Sequence, residues 1–146
     1  MQTLLDIPAA DILTSNEMEF VNKGGASEVF AGLELIKYGD CFTKAESHYW
    51  QRPEKKSQAE VDYVCAHNGR VLPIEVKAST QGAMQSLRIF LREHKLYNAV
   101  RTSLENFGQL YFYDKEAENA ERHVEIIPLY ALSNLREKQL VRAPET

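Results

Sequence analysis

The chain has 146 residues, 44% apolar and 26% charged, with 17 Lys and Arg against 21 Asp and Glu for a net charge of −4. That length fits one domain, able to bury about 68–70% of its unfolded surface, and the mix excludes collagen-like, low-complexity and wholly disordered chains. The acidic balance excludes a grip on nucleic acid by bulk phosphate neutralisation, so any such role needs a local patch, a metal ion or a partner.

Residues 1–15 carry Leu4, Leu5, Ile7, Ile12 and Leu13 and read as an apolar N-terminal arm. Residues 16–142 read as a single domain, and residues 143–146 as a frayed tail. Within the domain, residues 22–38 predict a helix, with Asn22 or Ser27 as its cap. Val29, Leu33 and Ile36, with Phe30 beside them, give it an apolar stripe for the core. Glu28 is expected in or near the first turn, where a carboxylate suits the helix dipole. Residues 47–52 predict a strand, and a loop carrying Lys55 and Lys56 follows.

Residues 59–79 are the most readable part of the chain. Two β-rich runs flank Asn68-Gly69, a strong hairpin signal. With a two-residue turn, His67 faces Arg70. Counting back puts Asp62 opposite Glu75 and Glu60 opposite Lys77. Side chains alternate along a strand. Glu60, Asp62, Glu75 and Lys77 are therefore expected on one face. Val61, Tyr63, Cys65, Leu72, Ile74 and Val76 are expected on the other, as an apolar surface for the core. Opposed carboxylates repel. Such a pair is tolerated on a wet face with a Glu60–Lys77 ion pair, by protonation, or around a divalent cation, for which hard oxygen ligands suit Mg²⁺. The residues alone leave those alternatives open.

Residues 83–95 predict a second helix, with Met84, Leu87 and Leu91 on its apolar side. Arg88, Arg92 and Lys95 form a basic stripe opposite. Residues 109–113 and 123–132 predict further strands, and Pro128 marks the last as an edge or as ending early. Tyr49, Trp50, Tyr111, Phe112 and Tyr113 are expected chiefly in sheet packing, although such rings can also stack bases. The four histidines show no zinc spacing with Cys41 or Cys65. No apolar run is long enough to span a bilayer, no secretory signal is evident, and two scattered cysteines suit a reduced compartment. The expected location is cytoplasmic.

Asp62, then twelve residues, then Glu75-Val76-Lys77 resembles the core of the PD-(D/E)XK nuclease superfamily, in which a preceding helix supplies a further Glu at the position of Glu28. Beyond that core, NKGGASEVFAGLELIKY, YWQR, AEVDYV, LPIEVKAS, SLRIFLREH, RTSLENF and IIPLYAL look, in that order, like the C-terminal domain of unknown function of bacterial and archaeal predicted AAA-type ATPases. The resemblance runs from about Leu4 to Leu132. It implies an α/β, restriction-endonuclease-like fold, a mixed central sheet flanked by helices with the acidic motif on a hairpin at about 60–78. It further implies a Mg²⁺- or Mn²⁺-dependent nuclease acting on DNA, less readily on RNA.

Asp62, Glu75, the Val76 carbonyl and Glu28 would hold the metal, and Lys77 would orient water or steady developing charge. Glu60 is an outer candidate. Arg88, Arg92, Lys95, Lys55, Lys56, Ser79 and Gln85 are candidate substrate contacts. No GxxxxGK(S/T) loop is present. An ATPase partner is therefore expected in trans if the chain is complete. The rival expectation is a catalytically silent module that docks on an ATPase or self-associates.

Overall fold

Asn68 and Gly69 turn the hairpin with φ of 50° and 74°, the pair of positive values that a tight turn between right-twisted strands requires. The computed structural model describes residues 23–38, 47–53, 59–77, 84–104 and 106–141. The N-terminal arm, Asn22, Cys41, Lys55, Lys56, Ser79 and the tail lie outside the described residues.

Helix α1 spans Lys23–Tyr38, strand β1 His48–Gln51, β2 Glu60–His67 and β3 Arg70–Glu75. Helix α2 comes next at Gln85–Glu93, then β4 Asn98–Ser103, β5 Gly108–Asp114 and β6 Ala120–Pro128, and a 3₁₀ helix runs over Leu129–Glu137. The strands form one mixed sheet in the order β1-β2-β3-β4-β6-β5. β3, β4 and β6 run parallel, and the outer pairings are antiparallel. This is an α/β fold with helices on both faces.

Each face has its own core. On one, Leu72, Ile74, Val76, Val100 and Ile127 pack with Ala31 of α1 and with Ala131, Leu132 and Leu135 of the 3₁₀ helix. On the other, Val61, Ala99 and Val124 pack with Leu87, Phe90 and Leu91 of α2. Trp50 joins that second core, its ring edge-on to Phe90 at 5.1 Å between centroids.

Four expectations need correction. First, Val61 does not share a face with Tyr63 and Cys65. Relative to β1, the β2 register jumps from His48↔Val64 to Trp50↔Val61. Asp62 and Tyr63 thus oppose Tyr49 alone, which is a β-bulge. The bulge turns Val61 to the α2 side with Val64, while Tyr63 and Cys65 stay on the α1 side. A slip of this kind costs little here, because both faces are covered.

Second, the stripe of α1 faces outward: Val29, Leu33 and Ile36 are 42%, 50% and 52% exposed. The helix packs instead through Ser27, Ala31 and Glu34. At Gly32 a Cβ would come within 2.7 Å of the Tyr63 hydroxyl. So close an approach needs the small residues inward and leaves the bulky ones outside. Third, α1 starts at Lys23 with no acidic residue in its first turn. Ser27 and Glu28 therefore lie within the helix and cap nothing.

Fourth, β4 was not legible, and it is the strand that β3 and β6 flank. The strand read over residues 123–132 ends early at Pro128, one of the two outcomes that proline marks, and the 3₁₀ helix takes over. β6 is internal; β1 and β5 are the edges.

Candidate active site

The ladder between β2 and β3 keeps the expected register from His67↔Arg70 to Tyr63↔Ile74 and records no pair beyond. Past Ile74, side chains take over from the ladder. The Val76 N–H donates to Asp62 Oδ2 at 2.6 Å. The Lys77 N–H donates to Thr102 Oγ1 at 2.9 Å, and that hydroxyl donates back to the Lys77 carbonyl at 3.3 Å. Two backbone donors that a longer strand would have given to a neighbour are thus satisfied locally. The bulge aims Asp62 across the end of the hairpin, and Glu75-Val76-Lys77 leaves the ladder there.

Glu75 is buried, 5% exposed, and its Oε1 lies 2.7 Å from Lys77 Nζ. Its Oε2 is buried with no hydrogen-bond partner among the described residues. Burial raises the Glu75 carboxyl above its ordinary value; Lys77 opposes the rise and Asp62 adds to it. Asp62 is raised too, first by burial and further by Glu60, against the Val76 N–H and Lys77. Glu28 is raised by burial and then by Asp62 and Glu60, with Lys77 opposing. Asp62 and Lys77 are therefore electrically coupled to both of the other carboxylates. Carboxylates pushed toward protonation by burial and by one another are a mark of functional sites.

Glu28 gets there by a route that the sequence did not show. Tyr63 Oη donates to the Glu28 backbone carbonyl at 2.8 Å, and Gly32, one turn on, makes room for that phenol. Tyr63, Gly32 and Thr102 are the positioning residues missed. An Asn-Gly register and an acidic-x-Lys motif carry no signal for them.

Glu60 stands apart. It is exposed and accepts from Gln51 Nε2 at 3.0 Å, and Lys77 pairs with Glu75 rather than with it. The basic stripe of α2 is also committed elsewhere. Arg88 lies over the Phe112 ring at 4.5 Å. Arg92 pairs with Asp114 at 3.7 Å and with Glu116. Gln85 and Lys95 are exposed.

Two features suit a hard divalent cation: the Asp62 carboxylate is tied to the backbone next to Glu75, and a buried Glu75 oxygen has no donor among the described residues. Among the described residues no three His, Cys, Asp or Glu side chains gather closely enough to hold a metal by themselves. A cation at Asp62 and Glu75 would thus depend on the Val76 carbonyl and on water, with Glu28 reaching it from α1. Cys65 is a separate case: burial pushes its thiol up to about 11, so it is an inert packing residue. No described helix is long and apolar enough to cross a membrane.

The family model for DUF4143, a domain of unknown function, matches residues 23–132. That is more than half of the chain, which therefore belongs to this family. No curated protein and no solved structure is significantly similar to it.

Proposed function

We propose that this DUF4143 domain is a metal-dependent nuclease of the PD-(D/E)XK type, cleaving phosphodiester bonds in DNA. The observation that carries the reading is the Asp62–Val76 hydrogen bond at 2.6 Å. It joins the bulged strand to the Glu75-Val76-Lys77 segment, where Lys77 pairs with Glu75 and its charge is also felt by Asp62. Asp62, Glu75 and the Val76 carbonyl would hold Mg²⁺ or Mn²⁺, with Glu28 alongside. Such an ion would supply Lewis acidity toward a phosphate oxygen and would lower the pKa of a bound water. Lys77 brings its ammonium to the same place, where it orients water and stabilises charge developing on phosphate. Thr102 fixes the Lys77 backbone, so the side chain starts from a set position.

Two measurements test this. Calorimetric titration with Mn²⁺ and Mg²⁺ is expected to show saturable binding that Asp62→Asn abolishes. Cleavage of end-labelled DNA is expected to require the ion and to fall by about 10²–10³-fold in Lys77→Ala, the usual cost of removing one electrostatic stabiliser. Cleavage that survives Lys77→Ala and Glu75→Ala unchanged would sink the proposal.

A second reading has its own observation. The exposed stripe of Val29, Leu33 and Ile36 on α1 suits a silent module that docks on an AAA-type ATPase or on a second copy. Absence of divalent binding in both proteins of the titration would put that reading first.

A further inference from the structure

The parallel strands β3, β4 and β6 all end on the side where Glu75 and Lys77 lie. Across that end the register lines up Glu75↔Arg101, Arg101↔Ile126 and Ile126↔Gly108. Strands sit about 4.8 Å apart, so Arg101 is the immediate neighbour of Glu75 and Gly108 is three strands away. Over the far part of this row opens a cavity of about 540 Å³. Arg101, Ser103, Ile126 and Gly108 line it, and Leu104, Phe107 and Tyr130 rim it. The volume falls in the ~300–1,000 Å³ range of small-ligand sites. In open α/β sheets, the crevice beyond the carboxyl ends of the strands is where ligands bind.

The rim is the unusual part. Leu104, Phe107 and Tyr130 are 61%, 52% and 69% exposed. Two aromatic rings and a leucine thus stand in solvent around a mixed cavity whose wall includes Arg101, the register neighbour of Glu75. Lys138 Nζ lies 5.2 Å from the Phe107 centroid, within reach of a phosphate beside that ring, while also 2.7 Å from Glu125. Among the described residues the basic stripe of α2 is partly engaged, with Arg88 over Phe112 and Arg92 tied to two acids, and the net charge is −4. Contacts that do not depend on a strong positive field therefore matter here. Base–aromatic stacking is such a contact, and a duplex hides the faces of its bases.

We infer that this cavity is a subsite for an unpaired nucleobase, stacked on Phe107 and Tyr130, which makes single-stranded nucleic acid the preferred substrate class. The inference rests on the nuclease reading and assigns the substrate for it. The base lies within about three strand widths of Glu75, so a phosphate a couple of nucleotides along the strand would reach the carboxylates.

The test is fluorescence anisotropy with labelled oligodeoxythymidine, labelled oligouridine and a blunt DNA duplex, in chelator so that nothing is cut. Expected are tighter binding of single strands than of duplex and a shallow salt dependence, because few phosphates are neutralised. Phe107→Ala and Tyr130→Ala are each expected to weaken single-strand binding by about 5- to 100-fold. Tyr49→Ala, which removes an exposed ring on β1, leaves it unchanged and serves as control. The two oligomers separate DNA from RNA. Equal affinity for strand and duplex, or binding indifferent to both rim substitutions, would overturn the subsite.

Cleavage is then measured in Mg²⁺ and Mn²⁺. Duplex cutting that needs Glu75 but ignores the rim keeps the nuclease reading and removes this one. Rim-dependent single-strand binding with no cleavage keeps the base subsite and removes the nuclease reading.

Discussion

The two ends of the β2–β3 hairpin are built on opposite principles. At the turn end, every pair from His67↔Arg70 to Tyr63↔Ile74 is in register, and the two turn residues take the backbone conformation that the turn demands. Leu72 and Ile74 are buried in the core beneath it. At the other end a bulge interrupts β2, the pairing stops, and three carboxylates are each raised above their ordinary values. The first end maximises pairing and leaves Asn68 and Arg70 in solvent. The second gives up pairing and buries like charges near one another, the kind of frustration that clusters at functional sites. Substitutions at the two ends should therefore move stability in opposite directions.

The largest effect is expected at Leu72. It is 2% exposed, packs in the core against α1 and the 3₁₀ helix, and pairs with Cys65. Leu72→Ala is expected to cost about 2–5 kcal/mol, the range for a core leucine that leaves a cavity. Urea denaturation checks it. A cost under about 1 kcal/mol, well below that range, would mean that the turn end is not the stable half.

Next comes Gly69→Val. A Cβ at Gly69 meets nothing within 4 Å, while its φ is 74°. The change therefore loads backbone strain alone, about 1–2 kcal/mol for a side chain forced into the left-handed region. The same variant should keep the divalent affinity of the parent by calorimetry, since the turn lies at the far end of the strands.

The contrast also explains what was legible in the sequence. Asn68-Gly69 and the alternation around it follow local rules, so the hairpin, its turn and its register could be read directly. Both helices and strands β1, β5 and β6 follow from periodicity to within a few residues. β4 escaped because Arg101, Thr102 and Ser103 are buried polar residues in a strand expected to be continuously apolar. Two of the three serve the site: Thr102 holds Lys77, and Arg101 sits beside Glu75.

The bulge escaped because it is a tertiary solution. It is favourable only when both faces are covered, and no single strand announces that. The inward face of α1 escaped for a similar reason: size at Ala31 and Gly32 overrode hydrophobicity at Val29, Leu33 and Ile36. The motif Asp62, Glu75, Lys77 was readable as a pattern, yet its geometry depends on Tyr63, Gly32 and Thr102, which have none.

The smallest effect, and the one that bears most directly on the comparison, is Asp62→Asn. Asparagine keeps an oxygen to accept from the Val76 N–H, so the link across the hairpin survives while the charge goes. Removing a half-buried charge that also raises Glu28 and Glu75 is expected to stabilise the protein without metal by about 1 kcal/mol, roughly 2–4 °C in Tm. The pH dependence identifies the cause. Asp62 is raised above its ordinary 3.8, and Glu28 and Glu75 above 4.5. In this range the folded state binds more protons than the unfolded one, so these groups make stability rise as pH falls through their folded values. The cost of burying these charges near one another is fully present above those values and is relieved as the pH falls toward the ordinary values of 3.8 and 4.5.

Glu34 has the opposite sign. Its hydrogen bond from Lys37 lowers its pKa, so its contribution is present above 4.5 and is lost as pH falls further. Glu34 is common to both proteins and cancels in the difference. The advantage of Asp62→Asn should therefore be greatest at neutral pH and shrink toward about pH 4 in paired thermal melts. An advantage that stays constant with pH would mean that the far end of the hairpin carries no charge frustration, and the two ends would differ only in their hydrogen bonds.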